Sequence, residues 1–472
     1  MLPSFKKIKH GNAVKHIPLV ENPYRPGAGH RPPFIAGRNG ELSHFNTLLR
    51  QGFFSSNVLI TGLRGVGKTV LLGEMRRMVE RSGWIWVGND LSESSSLSED
   101  RIALRLLTDI SDAFGRLLPS NNKPSLLKEL DTAFEAGLDA TTNNSVIYEA
   151  LKAIYERSPG LPSDRLKAVF SRLQPLMLRG GIQGIIFAYD EAQCLADHAE
   201  RNEFPMSLLV ETIASVQKDE IGARCILVLC GLPQVFDALT ATRTYTERMF
   251  EVMTLDRISR ADTLAAIEAP LKGLTPPLHP SKELIQKVVE LTGGYPYLIQ
   301  FLGKELVDQL MNNGGVLGAE AFPSSDALGR LDAGLFAARW NKTTDKQREF
   351  LKLISLRDIQ SPVDFSAQEL SELTRDSTDM TNAQVTQMLQ SLCDRGIIYR
   401  ARHGRYAFTV PMSEQMILRR FRSSGNAGDD WGLSEQDIDQ VPLQFDEPKQ
   451  KAKAAIPEAV TVEKKKRRRW FG

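Results

Sequence analysis

Gly62-Leu63-Arg64-Gly65-Val66-Gly67-Lys68-Thr69 holds the residues of this chain best suited to chemistry. Its spacing fits G-x-x-x-x-G-K-[ST] without a mismatch, the pattern of a backbone cradle for a polyphosphate. The glycines let successive N–H groups crowd round phosphate oxygens, and a following helix adds the positive end of its dipole. On this reading Lys68 reaches the β- and γ-phosphates, Thr69 offers its hydroxyl to Mg²⁺, and Val70 completes the cradle.

A second candidate group lies downstream. Ile185-Ile186-Phe187-Ala188-Tyr189 reads as a buried strand, and it ends in Asp190-Glu191. Phosphoryl transfer to water needs one charge for the metal and one base within reach of the nucleophile. Asp190 would hold Mg²⁺ through water, and Glu191 would polarise the attacking water. Taken alone, two acids at a strand end are more often an ordinary solvated terminus. Their position after the glycine loop, on a strand that can lie beside it, selects the catalytic reading.

The elements that must position these groups can be read from the apolar pattern. Asn57-Val58-Leu59-Ile60-Thr61 before the loop is short and β-branched, and Val70–Arg77 after it has helical composition. Further strand-like runs fall at 84–88, 185–189, 225–230 and 249–254, with helical patterns between them. Continuously apolar strands alternating with helices predict an α/β fold, a parallel sheet covered on both faces. Nearly a hundred residues separate the second and third strands. Ile102, Leu104, Leu106, Leu107 and Ile110 suggest one helix there, and Leu166, Val169, Phe170 and Leu173 another, within an insertion at about 97–178.

Composition bounds the rest. A chain of 472 residues with 42% hydrophobic residues allows two to four domains with real cores. The formal net charge of +2 argues neither for nor against nucleic acid. No run of eighteen apolar residues marks a membrane span, and Met1–Lys7 lacks the apolar stretch of a secretory signal. Cys194, Cys225, Cys230 and Cys393 show no paired spacing and read as small hydrophobes in a reducing compartment, so a cytoplasmic location is expected.

The expected organisation is a basic, extended arm over 1–30, a nucleotide-binding core over 31–260, a helical lid over 261–340, a winged helix over 341–422 and a tail over 423–472. Residues 281–312 read as two helices broken at Gly293-Gly294-Tyr295-Pro296. The winged helix is predicted from helices at 345–356, 366–374 and 381–395 and a hairpin of 396–400 with 406–410. The tail holds seven acids and no Lys or Arg over 426–448, then nine basic residues and two acids over 449–472. Such blocks read as solvated and disordered.

Four features resemble the AAA+/STAND side of the P-loop ATPases, close to the origin-recognition-like ATPase family of bacteria and archaea. They are Phe34-Ile35-Ala36-Gly37-Arg38-Asn39-Gly40-Glu41, the glycine loop, the Asp190-Glu191 strand and Gly294-Tyr295-Pro296. The resemblance implies a P-loop sheet, a helical lid and a winged helix, with ATP and Mg²⁺ as ligands. It also implies that Gly37 and Arg38 lie near the adenine and that Pro296 packs on the base. An arginine aimed at the γ-phosphate is implied before the fifth strand, which makes Arg248, or Arg243 upstream, a finger in cis or across a subunit interface. Two departures stand out. Leu229-Cys230-Gly231-Leu232-Pro233-Gln234 has no clear polar sensor, and Pro296–Gln300 lacks the lid arginine of many initiators, which implies slow or partner-dependent hydrolysis.

The helix at 381–395 would be the one offered to double-stranded DNA. Val385, Met388, Leu389, Leu392 and Cys393 share one face, with Thr381 a plausible N-cap and Gly396 a stop. Asn382, Gln384, Thr386, Gln387, Gln390 and Ser391 lie elsewhere, free for base edges or phosphates. Arg395, Arg400, Arg402, His403 and Arg405 suit backbone phosphates, and the basic run 464–469 adds non-specific attraction. The expected activity is an ATPase acting on DNA. A homo-oligomer, a signalling or defence switch with a protein client, and an ATP-binding module with little turnover remain open beside it.

Overall fold

The computed structural model describes residues 21–51, 56–117, 144–218, 224–242, 246–275, 278–358, 364–377, 380–402, 404–410 and 412–423. Most of the arm, the stretch 118–143, Arg243, His403 and the whole tail beyond Ser423 lie outside the described residues.

Five parallel strands form the central sheet: β1 (Asn57–Gly62), β2 (Ile85–Val87), β3 (Ile185–Tyr189), β4 (Cys225–Gly231) and β5 (Phe250–Leu255), in the order β2-β3-β4-β1-β5. Strands β1, β3 and β4 are buried along their whole length. Alternate residues serve opposite faces, as the pleat requires. Val58, Ile60, Ile186, Val228 and Cys230 join Phe45, Leu71 and Met75 in one core. Leu59, Ile185, Phe187, Leu227 and Leu229 join Ile102, Leu106, Leu166 and Leu209 in another. The expected α/β sheet with helices on both faces is therefore the fold.

The strand ending in Asp190 does not adjoin β1, because β4 lies between β1 and β3. The insertion between β2 and β3 is helical, with helices Glu99–Leu117, Asn144–Arg157 and Pro162–Arg179. Within the first of these Ile102, Leu106, Leu107 and Ile110 are buried as expected, while Leu104 falls on the solvent side at 38% exposure.

Beyond β5 the chain is helical to Trp340. Helices Arg260–Leu271, Lys282–Thr292 and Ser325–Leu335 each start at a serine, Ser259, Ser281 and Ser324, whose hydroxyl accepts an N–H of the first turn. The break between Lys282–Thr292 and Pro296–Asn312 falls at Gly293-Gly294-Tyr295, with both glycines at positive φ. The segment 21–31 is not a free arm. Asn22 donates to the Lys304 carbonyl at 2.9 Å and to Asp308 at 2.7 Å, and Tyr24 is buried with its hydroxyl on the Ile267 carbonyl. A Cβ at Gly303 would stand 2.5 Å from the Tyr24 ring, so only glycine leaves room for it.

The last unit has helices Asp345–Asp358, Ala367–Ser377 and Asn382–Asp394 and an antiparallel sheet of β6 (Phe365–Ser366), β8 (Arg405–Phe408) and β7 (Ile398–Arg402) in that spatial order. Thr381 caps the third helix in a reciprocal box with Gln384. The short strand β6 and the helix Ser413–Ser423 were not expected from the sequence. That helix packs on Asp345–Asp358, and Arg419 closes a two-point ion pair with Asp332 of Ser325–Leu335 at 2.6 and 3.0 Å. One continuous core joins the sheet to this unit through Tyr295, Leu298, Leu331, Phe336 and Trp340. Because the Arg419–Asp332 pair is largely shielded from water, Asp332→Ala is expected to cost about 2 kcal/mol in chemical denaturation.

Candidate nucleotide-binding site

The loop begins where β1 ends. Gly65 and Gly67 take φ of 81° and 89°, a region that side chains other than glycine rarely adopt. Val66 turns inward into the core and pins the loop from beneath. Gly67 precedes the helix Lys68–Arg81 and places no side-chain acceptor on its first amides, so those N–H groups are left for a ligand. The Lys68 ammonium donates to the carbonyls of Gly62 and Leu63, both at 2.9 Å. Burial pushes its pKa below the usual lysine value, with Cys230, Asp190 and Glu191 pulling the other way.

The two halves of the expected site meet. Thr69 Oγ1 donates to Asp190 Oδ2 at 2.6 Å, although β4 stands between their strands. The other oxygen, Asp190 Oδ1, accepts the Glu191 amide at 2.8 Å. Cys230, at the end of β4, is buried beside Asp190 and Lys68, and burial together with the Asp190 carboxylate holds its thiol far above the usual range. Glu191 sits at φ 55°, off the strand axis, and its carboxylate accepts from Gln193 Nε2. Gln193 Oε1 in turn accepts the Leu232 amide at 3.1 Å, so one side chain fastens Glu191 to the end of β4. Asp90, at the end of β2, has its pKa raised by burial and by the charges of Asp190 and Glu191.

Arg38 supports the loop from the other side, while Gly37, at φ 66°, faces Ile258 and not the cavity. Arg38 is buried and donates to the Val66 carbonyl at 2.9 Å and the Asp256 carbonyl at 2.6 Å. Its fork thus braces the loop backbone. Burial lowers its pKa, partly offset by Glu41. Pro296 opens its helix against the loop, with ring carbons 3.8 and 3.9 Å from where a Cβ on Gly67 would lie. The next amide, Tyr297 N–H, donates to the Gly65 carbonyl at 3.0 Å.

The loop, the two acids, Arg38 and the Pro296 turn border a cavity of about 420 Å³, within the range of roughly 300–1,000 Å³ usual for small-ligand sites. Its walls include the loop from Arg64 to Val70, Asp190 and Glu191, Arg38, and Pro296 with Tyr297. Three groups that the sequence reading missed also line it: residues Arg25–His30, the Gly334-Leu335 pair and Arg339. The segment 25–30 crosses close to the loop, since a Cβ on Gly29 would meet the Thr69 methyl at 3.2 Å. Arg31 then pairs with Glu74 of Lys68–Arg81 at 2.8 Å. Only the run Asn22-Pro23-Tyr24-Arg25-Pro26-Gly27, punctuated by proline and glycine, hinted at a fixed path there.

Arg248 does not reach the cavity. It is exposed on the short helix Thr246–Met249 before β5, and β5 runs parallel to β1 with Phe250 beside Asn57 and Leu255 beside Gly62. Arg248 therefore stands at the end of the sheet opposite the loop, about 17 Å away along the strand. That placement corrects the expectation of a finger in cis.

Among the described residues no group of three His, Cys, Asp or Glu converges on a metal position. The oxygen pair of Thr69 and Asp190 is nevertheless the hard donor set that suits Mg²⁺, which takes its other ligands from phosphates and water. No described helix is long and apolar enough to cross a membrane.

Residues 35–216 match the family model of the AAA ATPase domain, and residues 333–417 match a domain of unknown function (DUF8462). The fold resembles the Walker-type ATPase of Pyrococcus abyssi at 18% identity and a TM-score of 0.52, over 84% of this chain and 98% of that one. The ORC2 protein of Aeropyrum pernix, in its ADPNP–ADP complexes, matches at 12% identity and 0.47 over 84% and 97%. No curated protein matches the chain. The resemblance to AAA+ ATPases is borne out by the domain match and the shared fold.

A Cβ on Gly294 would overlap the Ile258 carbonyl oxygen, whose own amide donates to the Gly294 carbonyl at 2.9 Å. Gly294→Ala is expected to destabilise the protein by about 2–4 kcal/mol and to loosen Pro296 from the loop. A thermal melt checks the first effect, and protection of the Tyr297 amide from hydrogen exchange checks the second.

Proposed function

We propose, from the AAA ATPase domain that residues 35–216 carry, that the chain binds Mg-ATP, hydrolyses it to ADP and phosphate, and acts on double-stranded DNA through its C-terminal unit. The observation that carries the nucleotide reading is the 2.6 Å bond from Thr69 to Asp190, which joins the phosphate loop and the two acids in one site.

The roles follow from that geometry. Backbone amides of Gly65–Val70 cradle the polyphosphate, and Lys68 turns from the Gly62 and Leu63 carbonyls toward its β- and γ-oxygens. Thr69 and Asp190 would hold Mg²⁺, which, when bound, neutralises charge developing on the phosphates. Glu191 takes a proton from the water that attacks the γ-phosphorus as ADP leaves. Its bond to Gln193 must loosen for that step, which supports the expectation of slow or partner-dependent turnover. The adenine lies between the 25–38 segment and the lid helices, with Arg38 and Pro296 at its border. Arg248 is reserved for a neighbouring copy in a homo-oligomer, since it stands at the end of the sheet opposite the cavity of its own chain.

The C-terminal unit, with three helices and a hairpin, reads as a winged helix. Asn382, Thr386 and Gln387 are exposed on the helix Asn382–Asp394, and Arg400 is exposed on β7 with Nη2 on Gln390 at 2.9 Å. These carry the DNA reading, together with the basic run 464–469. Several expected contributors are otherwise engaged, among them Gln384 in its box with Thr381, Gln390 on Asp394 at 2.8 Å and Arg395 on the Lys342 carbonyl. Ser391 accepts from Gln347 at 2.9 Å, and Arg405 is gripped by Asp364 at 2.7 Å and Glu369 at 2.9 Å. One observation favours a second reading, a switch with a protein client. Tyr399 of β7 is half-buried, and burial pushes its pKa up to about 12, so part of this strand is withdrawn from solvent.

Lys68→Ala is expected to weaken ATP binding by about a hundredfold; wild-type affinity in a calorimetric titration would mean the site is misplaced. Glu191→Gln should retain ATP and lose turnover by about 10²–10⁴-fold. A rate that does not change rejects Glu191 as the base and favours a binding module. Phosphate release measured with and without duplex DNA separates the DNA reading from the switch. Arg400→Glu should weaken duplex binding and reduce its salt slope by about one, and equal retention would remove β7 from the interface.

A further inference from the structure

Two guanidinium groups line the nucleotide cavity without an acid to balance them. Arg64 is exposed within the loop, and Arg339 is half-buried on the short helix Ala337–Trp340. Among the described residues neither forms an ion pair with a carboxylate. Arg339 Nη1 donates to the Leu335 carbonyl one turn back at 3.0 Å, which leaves the rest of its donor fork uncommitted. The acids that share the cavity are already engaged, Asp190 by Thr69 and the Glu191 amide, Glu191 by Gln193. Burial lowers the Arg339 pKa, and the like charge of Arg64 lowers it further. Two like charges set near one another in a partly desolvated cavity are unfavourable until an anion joins them.

Arg339 also has an origin that the loop residues lack. It lies outside 35–216 and inside 333–417, the region whose family has no known function. Its helix is anchored on both sides. Phe336 and Trp340 are buried in the core shared with Tyr295 and Leu298. The Trp340 ring meets Phe421 of the final helix edge-on at 5.9 Å. A displacement of Arg339 would therefore be felt at the end of the C-terminal unit.

We propose that Arg339 is a phosphate-contacting residue: with Arg64 it holds the terminal phosphate of the bound nucleoside triphosphate, and the 333–417 unit closes on the triphosphate form but not on the diphosphate. This rests on the nucleotide site proposed above. It assigns the region of unknown function a place in that site.

The test is calorimetric titration of ATP and of ADP, each with Mg²⁺, into the full chain and its Arg339→Met, Arg339→Lys and Lys68→Ala variants. Arg339→Met is expected to weaken ATP by about tenfold to a hundredfold while ADP stays within about twofold, with Arg339→Lys between. A melt without nucleotide identifies any variant that has lost its fold. If Arg339→Met keeps the wild-type ratio of ATP to ADP affinity while Lys68→Ala loses both nucleotides, the Arg339 assignment is overturned and the site stands. If Lys68→Ala binds like wild type, the site itself fails. Should Arg339→Met melt early, the Arg339→Lys ratio decides, and a ratio equal to wild type overturns the assignment.

Discussion

Everything about this site depends on one hydrogen bond that crosses a strand. Thr69 and Asp190 are 121 residues apart, yet their side chains meet at 2.6 Å over the end of β4. The strand between them has to end low and narrow. It does so with Cys230, small and buried beside Asp190, and Gly231, where a Cβ would press on Gln193 at 2.8 Å. The parallel register then fixes the rest, because β1 pairs with β4 and β4 with β3 without a bulge. A phosphate cradle and a pair of acids are each commonplace; holding them in one cavity is what the sheet supplies.

The same cavity is bounded by parts of the chain with no share in the sheet. Residues 22–31 run from the helices after β5 to Glu74 on the loop helix, so these helices and the core are tied across the opening. The unit after Trp340 shares a core with the sheet through Tyr295 and Phe336, and Arg419 ties its last helix to Asp332. Loop, post-sheet helices and C-terminal unit are therefore packed together, and a ligand that shifts the loop has direct routes to the surfaces beyond it.

The legible features were those written in short stretches. The glycine loop, the apolar strands, the serine caps and the Gly-Gly break impose backbone conformation locally, so residue type and spacing reveal them. The features that escaped are made by distant partners. Nothing near Arg405 announces that Asp364 and Glu369 will take its donors. Arg339 has no local sign of a cavity, and the order of the strands is set by pairings between distant segments. Leu104 was legible: it lies two residues from both Ile102 and Leu106, off the buried stripe of its helix. Gln193 was the nearest miss: it lies two residues after Glu191, and only the fold shows that it spans to Leu232.

The most direct measurement is a double-mutant cycle on ATP affinity in Mg²⁺, using Thr69→Val, Asp190→Asn and the two together. If the two side chains serve one ligand, the combined loss falls short of the sum by about 1 kcal/mol or more. Strictly additive losses, or a Thr69→Val variant that binds Mg-ATP like wild type, would contradict the account.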